Sequence, residues 1–270
     1  MKLVKIVFSL LLIVGVSRAQ INVKGRIDHI VPDGTDTLGN IYLTVSGGTS
    51  PYTYTWNPGG TNVKDLTNVT ANSYTVTVKD NVAATASYKY KLGYKTRWTN
   101  FISSFIRRDT IFGLTAAPNY PYTGMNSAVS KSTLKASTDG WVQWVVNSTA
   151  LTTYVGFLDS VSIGQTGLIS DFDYGLVHSG STFYRTSGGT NTSLGTFVAG
   201  DVFRIERVGT TLTYYKNSVS VYSVTVSTSK DWKMKVILNG SSYCNDIGAS
   251  FLDTANTNFP NYVEDIPNIV

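Results

Sequence analysis

Gly200-Asp201-Val202-Phe203-Arg204-Ile205-Glu206-Arg207-Val208-Gly209, followed directly by Thr210-Thr211-Leu212-Thr213-Tyr214-Tyr215-Lys216-Asn217, is the stretch that decides the fold. A glycine-aspartate turn opens a β-rich run, a glycine closes it, and a second run of β-branched and aromatic residues follows. The same device precedes Trp141-Val142-Gln143-Trp144-Val145-Val146, which starts after Asp139-Gly140. Both faces of these strands carry bulky residues, as two packed sheets require. Composition agrees: Thr, Ser, Gly, Val and Tyr dominate, and glutamate occurs only at Glu206 and Glu264. Strong helix formers are therefore thin, and an all-β chain is expected.

Upstream, shorter runs alternate with period two. Ile41, Leu43 and Val45 alternate with Tyr42 and Thr44; Tyr74, Val76 and Val78 alternate with Thr75, Thr77 and Lys79. Turn signals separate them at Gly47-Gly48-Thr49-Ser50-Pro51 and Asn57-Pro58-Gly59-Gly60. A small β-sandwich over residues 20–90 follows, ahead of a larger one over 91–252. Tyr54 and Trp56 share a face of their strand and are expected to fill the smaller core. Residues 253–270 contain Pro260 and Pro267 without a periodic strand and read as a linker-like tail.

Residues 1–19 have the layout of a secretory signal peptide. Lys2 and Lys5 precede the apolar run Val7 to Val16, and Ser17 and Ala19 place small residues at a cleavage site. The run is shorter than the ~20 residues that span a bilayer. Removing Lys2, Lys5 and Arg18, with no acidic residue in the same segment, lowers the formal charge from +5 to +2. That gives a nucleic-acid partner little support. A secreted or cell-surface location is expected, with no integral membrane segment in the mature chain. Cys244 is the only cysteine, so no intrachain disulfide forms.

Two resemblances sharpen this reading. Val45-Ser46-Gly47-Gly48-Thr49-Ser50-Pro51-Tyr52-Thr53-Tyr54-Thr55-Trp56, with Leu66 and Tyr74-Thr75-Val76-Thr77-Val78-Lys79-Asp80, resembles the SprB-type repeat. That repeat is an immunoglobulin-like or PKD-like sandwich found in tandem in large surface adhesins of gliding and related Bacteroidetes. Val82 stands where the repeat has a glycine after its Asp-Asn pair. The decisive stretch itself, with Val155-Gly156-Phe157 and Asp173-Tyr174-Gly175-Leu176 upstream, is similar to concanavalin A-like lectin/glucanase domains, a jelly-roll fold. Ser218 replaces the usual glycine after Lys216-Asn217, which argues against a tight type I′ turn there. Together the resemblances imply an immunoglobulin/PKD-like sandwich followed by a concanavalin A-like jelly roll, in a surface adhesin that binds an extracellular glycan or other cell-surface ligand.

Glucanases of that fold look like Glu-x-Asp-x-Glu on one strand, and nothing similar occurs here. Asp171 and Asp173 are the best available carboxylate pair, on one face if they lie on a strand. A polar strand start explains them better than catalysis does, and no enzyme is expected. His29 and His178 fall in different modules, and His178 reads as a surface residue of a hairpin loop. No metal or other cofactor is called for, although Asp28, Asp33 and Asp36 could furnish calcium ligands where a plain turn is the simpler reading. Sugar binding needs exposed aromatics beside amide, hydroxyl or carboxylate groups. The candidates for it are Trp141, Asp171, Asp173, Tyr184 and Tyr215, with polysaccharide cleavage and a passive spacer as the alternative functions.

Overall fold

The computed structural model describes residues 19–30, 37–95, 98–102, 106–107, 114–116, 125–146, 148–161, 168–239, 243–244 and 247–251. The segment read as a signal peptide, the tail, Asp33 and Asp36 lie outside the described residues, as does the side chain of Cys244. The fold is all-β, an immunoglobulin-like sandwich followed by a jelly-roll sandwich.

In the first module the strands are β1 (Asn22–Asp28), β2 (Gly39–Ser46), β3 (Thr53–Asn57), β4 (Gly60–Thr61), β5 (Leu66–Val69), β6 (Asn72–Lys79) and β7 (Thr85–Leu92). One sheet has the order β1-β2-β5 and the other β4-β3-β6-β7. Alternation explains the core between them. Ile41 and Leu43 from β2 meet Tyr74, Val76 and Val78 from β6, while Thr75 and Thr77 remain partly exposed. Trp56 is buried and donates Nε1–H to the Val63 carbonyl at 3.1 Å; Tyr54 packs at the margin. Where the repeat pattern has glycine at position 82, Ala83 takes the left-handed conformation instead, at φ 69°. The Asp80 carboxylate makes that turn affordable by accepting the amides of Thr49, Val82 and Ala84 at 2.8–3.0 Å.

The second module comprises β8 (Tyr94–Lys95), β9 (Trp98–Ile102), β10 (Ile106–Arg107), β11 (Leu114–Ala116), β12 (Met125–Leu134), β13 (Gly140–Val145), β14 (Thr152–Asp159), β15 (Tyr174–Ser179), β16 (Thr182–Ser187), β17 (Thr190–Thr196), β18 (Val202–Val208), β19 (Thr211–Lys216), β20 (Val219–Thr225), β21 (Trp232–Asn239), β22 (Tyr243–Cys244) and β23 (Gly248–Ala249). A seven-stranded sheet of order β17-β16-β15-β14-β21-β12-β9 packs on a six-stranded sheet of order β20-β19-β18-β13-β23-β8. Their shared core holds Trp144, Phe157, Phe183, Phe203, Ile205, Tyr214, Trp232 and Met234. The decisive sequence stretch is the β18–β19 hairpin, in antiparallel register from Phe203 opposite Lys216 to Val208 opposite Thr211.

The turn from β19 to β20 departs from expectation. Lys216 pairs with Val219, leaving a two-residue loop in which Asn217 and Ser218 both have positive φ, 49° and 68°. A type I′ turn therefore forms without glycine. Asn217 holds it by donating to Asp201 Oδ1 at 2.9 Å and accepting the Val202 amide at 2.8 Å. Ser218 Oγ adds a hydrogen bond to the Lys89 carbonyl of the first module.

Candidate functional site

The jelly roll has two outer faces, and they have different fates. The outer face of the six-stranded sheet carries Trp141 and Gln143 from β13, Arg204 and Glu206 from β18, and Tyr215 from β19. The first module covers much of it. The chain passes from one sheet system to the other at Gly93, whose carbonyl accepts the Ile30 amide at 2.9 Å. A Cβ at Gly93 would lie 2.4 Å from the Ala249 carbonyl oxygen and 2.6 Å from the Trp141 ring. His29 packs against Gly248 equally closely and lies 6.0 Å from Trp141 between centroids. Its Nδ1 accepts the Gly93 amide at 3.1 Å, and burial pushes its pKa down to about 3.

The centre of this junction is ionic. Lys91 from β7 reaches across to pair with Glu206, which also takes Arg204 Nε at 3.1 Å. Gln143 donates to the Lys91 carbonyl at 2.8 Å, and the Arg204 guanidinium lies 4.1 Å over the Tyr215 ring. Desolvation pulls the Lys91 pKa down, and its bond to Glu206 opposes that shift. Trp141, at 8% exposure, is thus a junction residue, and Tyr215 is the shelf for Arg204. Trp141 therefore presents no free face to a sugar, and one face of partly exposed Tyr215 is taken by Arg204. Glu206 is paired with Lys91 and Arg204.

The outer face of the seven-stranded sheet gathers the other candidates. Tyr154 from β14, Val177 from β15 and Ile237 from β21 form a second apolar layer with Phe172, and Ile169 and Tyr184 pack at its margin. Gly156 and Gly175 make room for the Phe172 ring, since a Cβ on either would come within about 3 Å of it. Tyr154 and Phe172 are stacked 19° from parallel at 6.4 Å. The Tyr154 phenol lies near the Asn191 side chain; burial raises its pKa, and the influence of Asn191 opposes that rise. Across the β16–β17 pair, Tyr184 stands opposite Ser193 and Thr186 opposite Asn191. Tyr184 is half-exposed, and β17 is the exposed edge strand of the sheet.

Asp171 and Asp173 are not on a strand. Ile169–Asp171 is a short 3-10 turn, and Phe172 drives into the sheet between the two acids. Asp171 pairs with Lys235, which is wholly buried beneath it. Asp173 accepts the Asp159 amide at 2.7 Å, and Asp159 pairs with Lys230 at 2.9 Å. The acids therefore hold the Leu168–Asp173 cover against the sheet, each through a different partner. The period-two argument failed because β15 begins only at Tyr174.

His178 is also misplaced by the sequence. It is the last inward-facing residue of β15, 4% exposed, and its ring meets Phe197 edge-on at 5.2 Å. Burial pushes its pKa down to about 4. Asp28, of the calcium alternative, pairs with Arg26 at 2.7 Å. Among the described residues no group of three or more His, Cys, Asp or Glu side chains is gathered as a metal site would need. Nor is any helix among them long and apolar enough to cross a membrane. Sequence reasoning missed Tyr154, Phe172 and Asn191, although Gly156 and Gly175 were visible as interruptions in β-rich runs, a sign of close approach from above.

No family model matches the chain, and no curated protein matches it. Among solved structures, the carbohydrate recognition domain of Emp47p is 11% identical at a TM-score of 0.39, over 53% of this chain and 82% of that one. The SPRY domain of human HERC1 is 14% identical at 0.37, over 53% and 88%. The carbohydrate-binding module CBM66 from Bacillus subtilis is 12% identical at 0.32, over 56% and 97%.

Proposed function

We propose that this chain is an extracellular glycan-binding protein of the adhesin type. Its jelly roll holds sugar on the β16–β17 side of the seven-stranded sheet, and the immunoglobulin-like module is a spacer fixed to the opposite sheet. One observation carries the reading: half-exposed Tyr184 stands beside Ser193, near the Tyr154–Asn191 pair and the exposed polar row of β17. A ring face flanked by amide and hydroxyl groups is the combination that saccharides require. The resemblance of the first module to SprB-type repeats and the signal-like segment ahead of it support export and surface display. The engagement of Asp171 by Lys235 and of Asp173 by a backbone amide gives each acid a structural task in holding the Leu168–Asp173 cover, which supports binding over hydrolysis.

The test is a glycan array and affinity electrophoresis with the full mature chain and its Tyr184→Ala variant. Retention on one or more glycans, weakened in Tyr184→Ala and unchanged in Tyr215→Phe, is expected. No retention on any glycan, or retention indifferent to Tyr184, contradicts the proposal.

A further inference from the structure

Inside the jelly roll, on the side where edge strands β17 and β20 end the two sheets, one cation stands apart from the others. Arg185 is the inward-facing neighbour of Tyr184 on β16, and its guanidinium lies 4.7 Å over the ring of Tyr222 on β20. Tyr222 meets Tyr214 at 5.8 Å, and the charges of Arg185 and Tyr174 are both felt at the Tyr214 phenol. A guanidinium and the Tyr222 ring thus meet near the open edge of the sandwich, with Tyr214 buried behind them. Arg185 and Tyr222 are half-buried there, and Thr192 and Ser187 beside them are exposed.

Other buried or half-buried cations of this module have been given oxygen partners. Arg204 has Glu206, Lys235 has Asp171, and Arg207 has the carbonyls of Lys135 and Thr138. No carboxylate pairs with Arg185 among the described residues. Partly desolvating a guanidinium with no anion beside it costs stability, and the planar fork that is left open matches a carboxylate in two parallel hydrogen bonds. The partly exposed Tyr222 ring offers an apolar surface against which the carbon skeleton of a sugar packs.

We infer that the open edge of the Arg185 guanidinium, held over the Tyr222 ring, is a subsite for the carboxylate of an acidic sugar, a uronic acid or its like. The inference rests on the glycan-binding reading and adds a subsite on the inner side of β16, the side opposite Tyr184. Arg185 receives the carboxylate and Tyr222 orients the guanidinium, with buried Tyr214 backing the Tyr222 ring.

The experiment is a nuclear magnetic resonance titration of the full mature chain with sodium glucuronate, methyl glucoside and N-acetyl-aspartate amide. Glucuronate is expected to shift the Arg185 Nε–H and the Tyr214 and Tyr222 ring signals, and to bind roughly tenfold more weakly to Arg185→Gln, the loss of one charged hydrogen bond. Arg185→Lys, which keeps the charge without the fork, falls between them and guards against a fold defect. Methyl glucoside binding is expected to ignore Arg185→Gln and to fall in Tyr184→Ala. If glucuronate binds wild type and Arg185→Gln alike, the subsite is wrong while the glycan reading stands. If neither sugar binds, both are wrong. If the aspartate derivative binds at Arg185 as tightly as glucuronate, the sugar class is overturned.

Discussion

Glu206→Gln and Lys91→Met remove the two ends of one ion pair, and the junction between the modules makes their consequences unequal. The Glu206 side chain is 11% exposed and serves two cations, Lys91 at 12% and Arg204 at 4%. Losing its charge leaves an ammonium and a guanidinium facing each other without an anion, in a place where water cannot fully replace it. Breaking a buried pair in that way costs about 3–5 kcal/mol. Lys91→Met is different: Arg204 still pairs with Glu206 at 3.1 Å, the thioether chain fills much of the vacated volume, and a costly desolvated ammonium is gone. That loss should stay within about 1 kcal/mol, because replacing a buried ion by an apolar side chain of similar size is often close to neutral. At about 2–4 °C per kcal/mol for a chain of this size, the glutamine variant should melt about 6–20 °C lower and the methionine variant within a few degrees of wild type. Differential scanning calorimetry on the chain from Gln20 onward reads both. Equal, small decreases would show that the triad is solvated and that the modules are not joined through it.

Stability should fall on acidification. Burial holds both histidines neutral in the folded chain, with pKa values of about 3 for His29 and about 4 for His178 against 6.5 unfolded. The unfolded chain therefore takes up protons first as pH drops below about 6.5, at up to roughly 1.4 kcal/mol per pH unit for each histidine. Urea midpoints between pH 6.5 and 4 should show that slope, and His178→Leu should remove about half of it. Phe172→Ala should cost about 3–5 kcal/mol, since the ring is 1% exposed and anchors the Leu168–Asp173 cover; proteolytic cleavage of that segment should accelerate with it. Ser218→Gly should lie within about 1 kcal/mol of wild type by chemical denaturation, because relief at φ 68° offsets the lost bond to Lys89. Ser218→Val should cost more than about 1 kcal/mol in the same assay, since a β-branched side chain tolerates that conformation poorly.

Much of the fold was legible because strands announce themselves locally. Phe203 and Ile205 point into the core and Arg204 and Glu206 away from it, as the alternation in the decisive stretch requires. What covers an outer face is decided by distant chain, and there the sequence is silent. Trp141 looked like any aromatic on a half-exposed strand until Gly93 and His29 came to rest on it. Asp171 and Asp173 looked like alternating strand residues because Phe172 and Tyr174 continue an apolar rhythm. In fact Phe172 is the anchor of a turn laid over Gly156 and Gly175. His178 was hidden by the polar Ser-Gly-Ser that follows it, since one residue of register separates the last core position from the loop. Arg185 gave no signal in sequence at all; only the packing of β16 against β20 shows that it sits over Tyr222 with no carboxylate paired to it among the described residues.

The central claim is that the two outer faces of the jelly roll are divided between the spacer and the ligand. Binding affinity of the full mature chain for the best glycan from an array, compared between Tyr184→Ala and Tyr215→Phe, tests that division most directly. The account predicts a weakened complex for Tyr184→Ala and an unchanged one for Tyr215→Phe. The reverse pattern, or no bound glycan at all, would contradict it.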